Sequence, residues 1–246
     1  MSEEQYFEKR LNELAMRADK LGTMVFTRFL DMAQQQAALR IARENNVQCT
    51  LFGGFDEAER RVAAFHTYEP DEEFPIRIIE IAWRSKFGSP SHRDLLGALM
   101  ALGFERERIG DIVLAEEKAY VFADPEMADY IVQNFESAGR VNVKCRLTDS
   151  ADELPQPKGR HIRDTVPSLR LDALTAAGFS LSRSAAAEAI NAGRVFVNQV
   201  NILRTDYVVP ENALISLRGT GRMRFEGVDG HTRKDRLAVR LFIYGD

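Results

Sequence analysis

The sequence predicts an α+β protein of several units, on three observations. Apolar residues recur at three- and four-residue steps in some segments and at every second residue in others. The middle of the chain orders its elements βαββαβ. Charge is divided, with 20 Lys+Arg against 28 Asp+Glu in residues 1–159 and 13 against 9 in residues 160–246. At 246 residues there is material for more than one core.

In the first unit, residues 1–73, Phe7, Leu11, Leu14, Ala18 and Leu21 mark a helix that Gly22 punctuates. A second helix over Met32 to Glu44 turns Ala37, Ala38, Ile41 and Ala42 inward and closes at Asn45-Asn46. Val47 to Phe52 and Arg61 to His66 read as two strands. Gly53-Gly54 between them reads as a turn, because no strand-Gly-helix continuation or nearby Lys-Ser/Thr makes it a phosphate loop.

The second unit, residues 74–148, begins with a strand at Ile76 to Trp83 and a helix from His92 to Leu102. A hairpin follows, Asp111 to Glu116 with Ala119 to Phe122, then a helix carrying Met127, Ile131 and Phe135, and a strand at Val141 to Leu147. Ferredoxin-like and RNA-recognition folds share this split arrangement, which does not by itself settle function. The third strand reads Lys118-Ala119-Tyr120-Val121-Phe122, without the glycine-aromatic signature of an RNA-recognition platform. Tyr120 and Phe122 share a face and are assigned to the core in preference to base stacking. Ser89 or Ser91 caps the helix, leaving His92 and Arg93 exposed in its first turn as a candidate second contact surface.

Asp149 to Arg163, with Pro155 and Pro157, is expected to be a linker. The last unit, residues 164–246, opens with Leu171, Leu174 and Ala177 on one short helix, which Gly178 stops. Ala186, Ala189 and Ile190 mark a second helix, ended by Gly193, with Ser182 as its N-cap and Arg183 and Ser184 in its first turn. Free N–H groups and the positive dipole end there attract phosphate. Val195 and Val197 then face one way and Phe196 the other, before a turn at Asn198. A strand at Leu214 to Arg218 and a hairpin of Met223 to Glu226 with Leu237 to Tyr244 complete the unit. Gly219 and Gly221 are turn residues, since Arg222-Met223-Arg224 does not continue a dinucleotide motif.

At Arg170-Leu171-Asp172, Gly178-Phe179, Ser182-Arg183-Ser184-Ala185, Ile190, Gly193, Val195 and Val197-Asn198 the chain resembles the S-four type (alpha-L) RNA-binding domain. Gln199 departs from the usual Asn-Gly turn, and Pro210-Glu211-Asn212 from the usual Gly-Asp. Gly88 to Ile112, with His92-Arg93-Asp94, Leu96-Gly97-Ala98-Leu99, Leu102-Gly103 and Ile109-Gly110-Asp111-Ile112, resembles the YlmH family of bacterial RNA-binding proteins. The resemblance spans nearly the whole chain and extends to the basic Thr232-Arg233-Lys234 loop. It implies a cytoplasmic, non-enzymatic binder of structured RNA, ribosomal RNA or tRNA on the large ribosomal subunit, acting in ribosome-associated quality control. Some family members are also linked to cell-division gene neighbourhoods.

The expected RNA contacts are Arg170, Ser182, Arg183, Ser184, Arg194, Asn198, Arg218, Arg222, Arg233 and Lys234. The alternative is an RNA-modifying enzyme, a pseudouridine synthase or methyltransferase that uses the S-four domain as an anchor. Asp172 is a poor nucleophile for it, because it lies in the S-four pattern as a capping or ion-pairing residue. No Gly-rich cofactor loop, metal cluster or Ser/His/Asp arrangement appears, so no catalytic residue, metal or cofactor is expected. Cys49 and Cys145 have neither metal nor redox spacing. Met1 is followed by an acidic stretch, and no run approaches about 18 apolar residues, so membrane insertion is not expected. Protein partners are compatible with the acidic N-terminal units.

Overall fold

The computed structural model describes residues 2–68, 73–84, 86, 88–149, 154–155, 158–233 and 235–245. It divides into two compact units, Met1–Pro155 and Gln156–Asp246.

The first unit starts with α1 (Glu3–Leu21), β1 (Val25–Leu30), α2 (Met32–Glu44), β2 (Gln48–Phe52) and β3 (Arg61–His66). Both helices carry capping boxes, Ser2 with Gln5 and Asp31 with Gln34. Their apolar stripes, including Leu11, Ala15, Ala38 and Ile41, pack on Phe65 and Ala63 of an antiparallel sheet ordered β1-β3-β2. β1 was not among the expected strands. Its VFTRFL run of aromatic and β-branched residues is the signal for it, and the neighbouring helical patterns overshadow that run.

Next come β4 (Arg77–Ala82), α3 (His92–Ala101), β5 (Ile109–Leu114), β6 (Lys118–Ala123) and α4 (Pro125–Asn134). A two-residue-strand hairpin, β7 (Ser137–Ala138) and β8 (Val141–Asn142), precedes β9 (Lys144–Thr148), so the single strand expected from Val141 to Leu147 is broken at Val143. The sheet order is β5-β6-β4-β9, every neighbour antiparallel. One face packs Ile79, Ile81 and Val121 against Leu95, Leu99 and Ile131 of the two helices.

The other face is equally dry. Tyr120 and Phe122 are 1% and 0% exposed and cluster with Phe29 and Val62 of the first sheet, with Phe55 4.9 Å from the Phe122 ring. Each such aromatic contributes roughly 1.5–3 kcal/mol through burial. Asp111 bridges the two sheets: its carboxylate accepts the Glu59 amide at 2.6 Å and the Arg60 amide at 3.3 Å. The Arg60 guanidinium donates to the Phe29 and Ile109 carbonyls at 3.0 and 3.2 Å. At Gly110 an added Cβ would lie 2.6 Å from the Phe29 ring, so only glycine permits this approach. Residues 1–73 and 74–148, expected as separate domains, are joined by the cluster of Phe29, Val62, Tyr120 and Phe122 within one compact unit.

The second unit comprises β10 (Gly159–Val166), α5 (Leu171–Gly178), α6 (Arg183–Asn191), β11 (Val195–Val197), β12 (Val200–Asn201), β13 (Leu214–Leu217), β14 (Gly221–His231) and β15 (Leu237–Tyr244). They form a six-stranded sheet ordered β10-β15-β14-β13-β11-β12. The linker expected at 149–163 is corrected here, because Gly159 to Val166 pair residue for residue with Tyr244 to Leu237. The alternation that should have betrayed β10, Ile162 and Val166 inward, is diluted by Arg160, His161, Arg163 and Asp164.

Helices α5 and α6 cover one sheet face, with Leu171, Leu174, Ala189 and Ile190 against Val195, Val197, Met223, Phe225 and Leu241. Gly178 does not end α5 by a left-handed cap. It is the last helical residue, and an added Cβ would lie 1.8 Å from Met223 Sδ. The turn after β11 has Asn198 at φ 48° and Gln199 at φ 67°, the two left-handed residues of a tight hairpin.

Candidate nucleic-acid interface

Three charged side chains meet where α5 and α6 begin. Arg170 is the N-cap residue of α5, and Asp172 lies in its first turn. The loop before β13 fixes that start: Tyr207 and Thr205 carbonyls accept the Leu171 and Asp172 amides at 2.8 and 3.1 Å. The Asp172 carboxylate, 9% exposed, accepts from Arg170 at 3.2 and 3.3 Å and from Arg183 at 2.6 Å. Burial pushes its pKa up, but the hydrogen bonds from Arg183 and Arg170 outweigh this and hold it below the usual carboxylate range. Asp172 therefore stays ionised and holds two half-exposed guanidiniums side by side.

Ser182 caps α6: its Oγ accepts the Ala185 amide at 3.1 Å and lies 2.9 Å from Ser184 Oγ. The Arg183 and Ser184 amides are the first-turn donors that a helix leaves without intrahelical acceptors. Guanidinium donors, hydroxyls and amide donors thus converge on one anion-seeking surface.

Arg218 and Arg222 lie elsewhere. With Val195, Val197, Met223, Leu241 and Ile243 packed toward the helices, alternation turns Phe196, Arg222, Arg224, Phe242 and Tyr244 to the opposite sheet face. The Arg218 guanidinium sits 5.1 Å from the Phe196 ring and Arg222 5.2 Å from Tyr244. Arg224 donates to the Tyr244 hydroxyl at 3.1 Å, and Phe242 packs edge-on against Tyr244 at 5.0 Å. Arg194 joins this end of the sheet, its carbonyl accepting the Arg218 amide at 2.9 Å.

The expected contacts therefore divide over two faces of one unit. Asn198 is a turn residue, its Oδ1 accepting the Leu214 amide at 2.9 Å. Arg233 is exposed in the loop between β14 and β15, and Lys234 lies outside the described residues. Phe196, Arg224, Phe242 and Tyr244 were not anticipated. The signal for Phe242 and Tyr244 was the outward register of β15, readable once Val239, Leu241 and Ile243 are taken as its inward set.

Residues 70–152 match the family model described as "Putative RNA-binding domain in YlmH", and residues 169–215 match the S4 (S-four) domain. The chain is 34% identical over 220 residues to the ribosome-associated protein quality control protein P2 of Bacillus subtilis, covering 88% of this chain and 86% of that protein. This chain belongs to the YlmH family. A structure titled cell division protein ylmH, from Streptococcus pneumoniae, shares the fold at a TM-score of 0.53 and 22% identity, covering 63% of this chain and 97% of that one.

In this YlmH-family chain the remaining candidates lie in the first unit. Ser91 caps α3 in a capping box with Asp94, and His92 and Arg93 are exposed beside it. Partial burial, then the charge of Arg106, lowers the His92 pKa against the opposing pull of Glu59. Cys49 and Cys145 are free and half-buried, and burial pushes both thiols up to about 11. No group of three or more His, Cys, Asp or Glu able to hold a metal occurs among the described residues, and no described helix is long and apolar enough to cross a membrane.

Proposed function

We propose that the chain is a non-enzymatic factor that grips structured ribosomal RNA or tRNA on the large ribosomal subunit, and that it serves ribosome-associated quality control in the cytoplasm. The observation that carries this is the Asp172-centred pair of arginines at the capped start of α6. A buried carboxylate that orders two guanidiniums is a device for holding phosphates in register, because each arginine keeps donors free for the ligand. Arg170, Arg183, Ser182 and Ser184 are the proposed phosphate contacts. Arg194, Arg218 and Arg222 supply a flanking contact on the outer sheet face, where aromatic rings suit unpaired bases. Arg233 adds charge in the loop between β14 and β15, Lys234 beside it in sequence is a further proposed contact, and His92 with Arg93 is proposed as a contact surface of the first unit.

The βαββαβ middle segment is read as RNA-recognition-like (ferredoxin-like) on its strand order. The quality-control role rests on likeness to the Bacillus subtilis protein of that name. Against the RNA-modifying alternative, the Asp172 carboxylate is committed to two arginines and is unsuited to nucleophilic attack. Crosslinking in cells followed by sequencing of the bound RNA tests the reading. A discrete site in large-subunit ribosomal RNA or tRNA is expected; diffuse recovery of messenger RNA would overturn it.

A further inference from the structure

The sheet face with which RNA-recognition folds usually meet RNA is closed in this chain. Tyr120 and Phe122 occupy it, and both are buried under Phe29, Val62 and Phe55. Elsewhere in the same unit a cleft of about 590 Å³ opens at the end of β4, lined by Ala82, Trp83, Arg84, Arg140, Asn142 and Lys144. Its shape has a local cause. Gly139, at φ 60°, lets β7 and β8 turn back tightly, which puts Arg140 at the hairpin tip. Lys144 begins β9, opposite Ala82 in the register, and β9 is an edge strand paired only with β4.

Arg84, Arg140 and Lys144 are exposed, and among the described residues no carboxylate pairs with any of them. Among the described residues no acidic side chain lines the cleft. Trp83 is 93% buried, and its indole N–H, itself buried, has no acceptor among the described residues. Three cations unpaired among the described residues and an amide side chain around a nucleotide-sized concavity match a phosphate with its attached unpaired base.

We propose that this cleft is the RNA site of the middle segment, taking one unpaired nucleotide of an RNA strand. Arg140 and Lys144 hold adjacent phosphates, Arg84 closes the rim, and Asn142 offers a polar contact to the nucleotide. The site is separate from α5 and α6 and stands whether or not they bind RNA.

Trp83 is the chain's one tryptophan, so its emission reports on the cleft directly. The full-length protein is titrated with a 12-nucleotide oligouridylate. A saturable change in Trp83 emission is expected, with affinity about tenfold lower in Arg140→Ala with Lys144→Ala and a log–log salt slope smaller by about 1.4, or 0.7 per lost phosphate contact on a single strand. The unliganded emission spectrum of that variant should match wild type, and Arg10→Ala, at an exposed arginine of α1 outside every proposed contact, should leave the Trp83 titration within about twofold, a result that ties the loss to the cleft. If the double variant emits differently before RNA is added, Arg140→Gln alone is titrated and a several-fold loss is still required. RNA binding without a change in Trp83 emission would overturn the proposal. So would an equal response to inorganic phosphate, which marks a simple anion site, or to polyglutamate, which marks a surface for acidic proteins.

Discussion

Asp172 carries more of the proposed interface than its size suggests, because both arginines bond to it. Asp172→Asn should reduce the stability of the second unit by about 1–3 kcal/mol, since hydrogen bonds to a charged group are weakened while the arginines stay in place. Chemical denaturation of wild type and variant checks this. The pH dependence has a definite sign. A carboxyl held below its unfolded value, about 3.9, stabilises the fold above that pH, and the contribution disappears as pH falls through the folded value. Asp172→Asn should therefore flatten the loss of stability below about pH 4. A variant with an unchanged acid limb would remove Asp172 from this role. At the same scale, Cys49 and Cys145 should react with a thiol reagent at pH 7 far more slowly than a free cysteine, because burial keeps both as thiols.

Among the elements, strand β10 was hidden and the α5–α6 hairpin was plain. Leu171, Leu174, Ala186 and Ile190 keep a helical period, and Ser182 supplies the cap, so local chemistry alone announces both helices. β10 has a mostly polar sequence and becomes a strand only because β15 offers it a partner about 71 to 85 residues away. That pairing is tertiary, and no local pattern encodes it. A fragment of residues 156–246 should accordingly fold cooperatively, whereas 164–246, lacking most of β10, should melt lower by several degrees and expose the edge of β15. Thermal unfolding followed by circular dichroism distinguishes them. Equal midpoints would show β10 to be ornamental. The same limit explains the interface: Arg170, Arg183 and Ser182 sit in one local motif and were legible together, while Arg218 and Arg222 look contiguous with them until the sheet register sends them to the other face.

For the molecule as a whole, the first unit shows why motif and fold diverge. The segment Ile109-Gly110-Asp111-Ile112 reads as a signature, and in the structure it fastens two sheets: Asp111 bonds the Glu59 and Arg60 amides, and Gly110 admits Phe29. Gly110→Ala should cost this unit about 1–3 kcal/mol by overpacking, measured by denaturation, with RNA binding by the second unit unaffected. The charge balance of the chain conceals its division of labour, since the acidic part holds one unit and the basic excess the other. The central claim is that α6 presents Arg183 to RNA phosphate. Its most direct test is the affinity of wild type and Arg183→Ala for purified large ribosomal subunits across a salt series. Binding weaker by about tenfold with a log–log slope smaller by about one is predicted; identical affinity and slope would contradict the account.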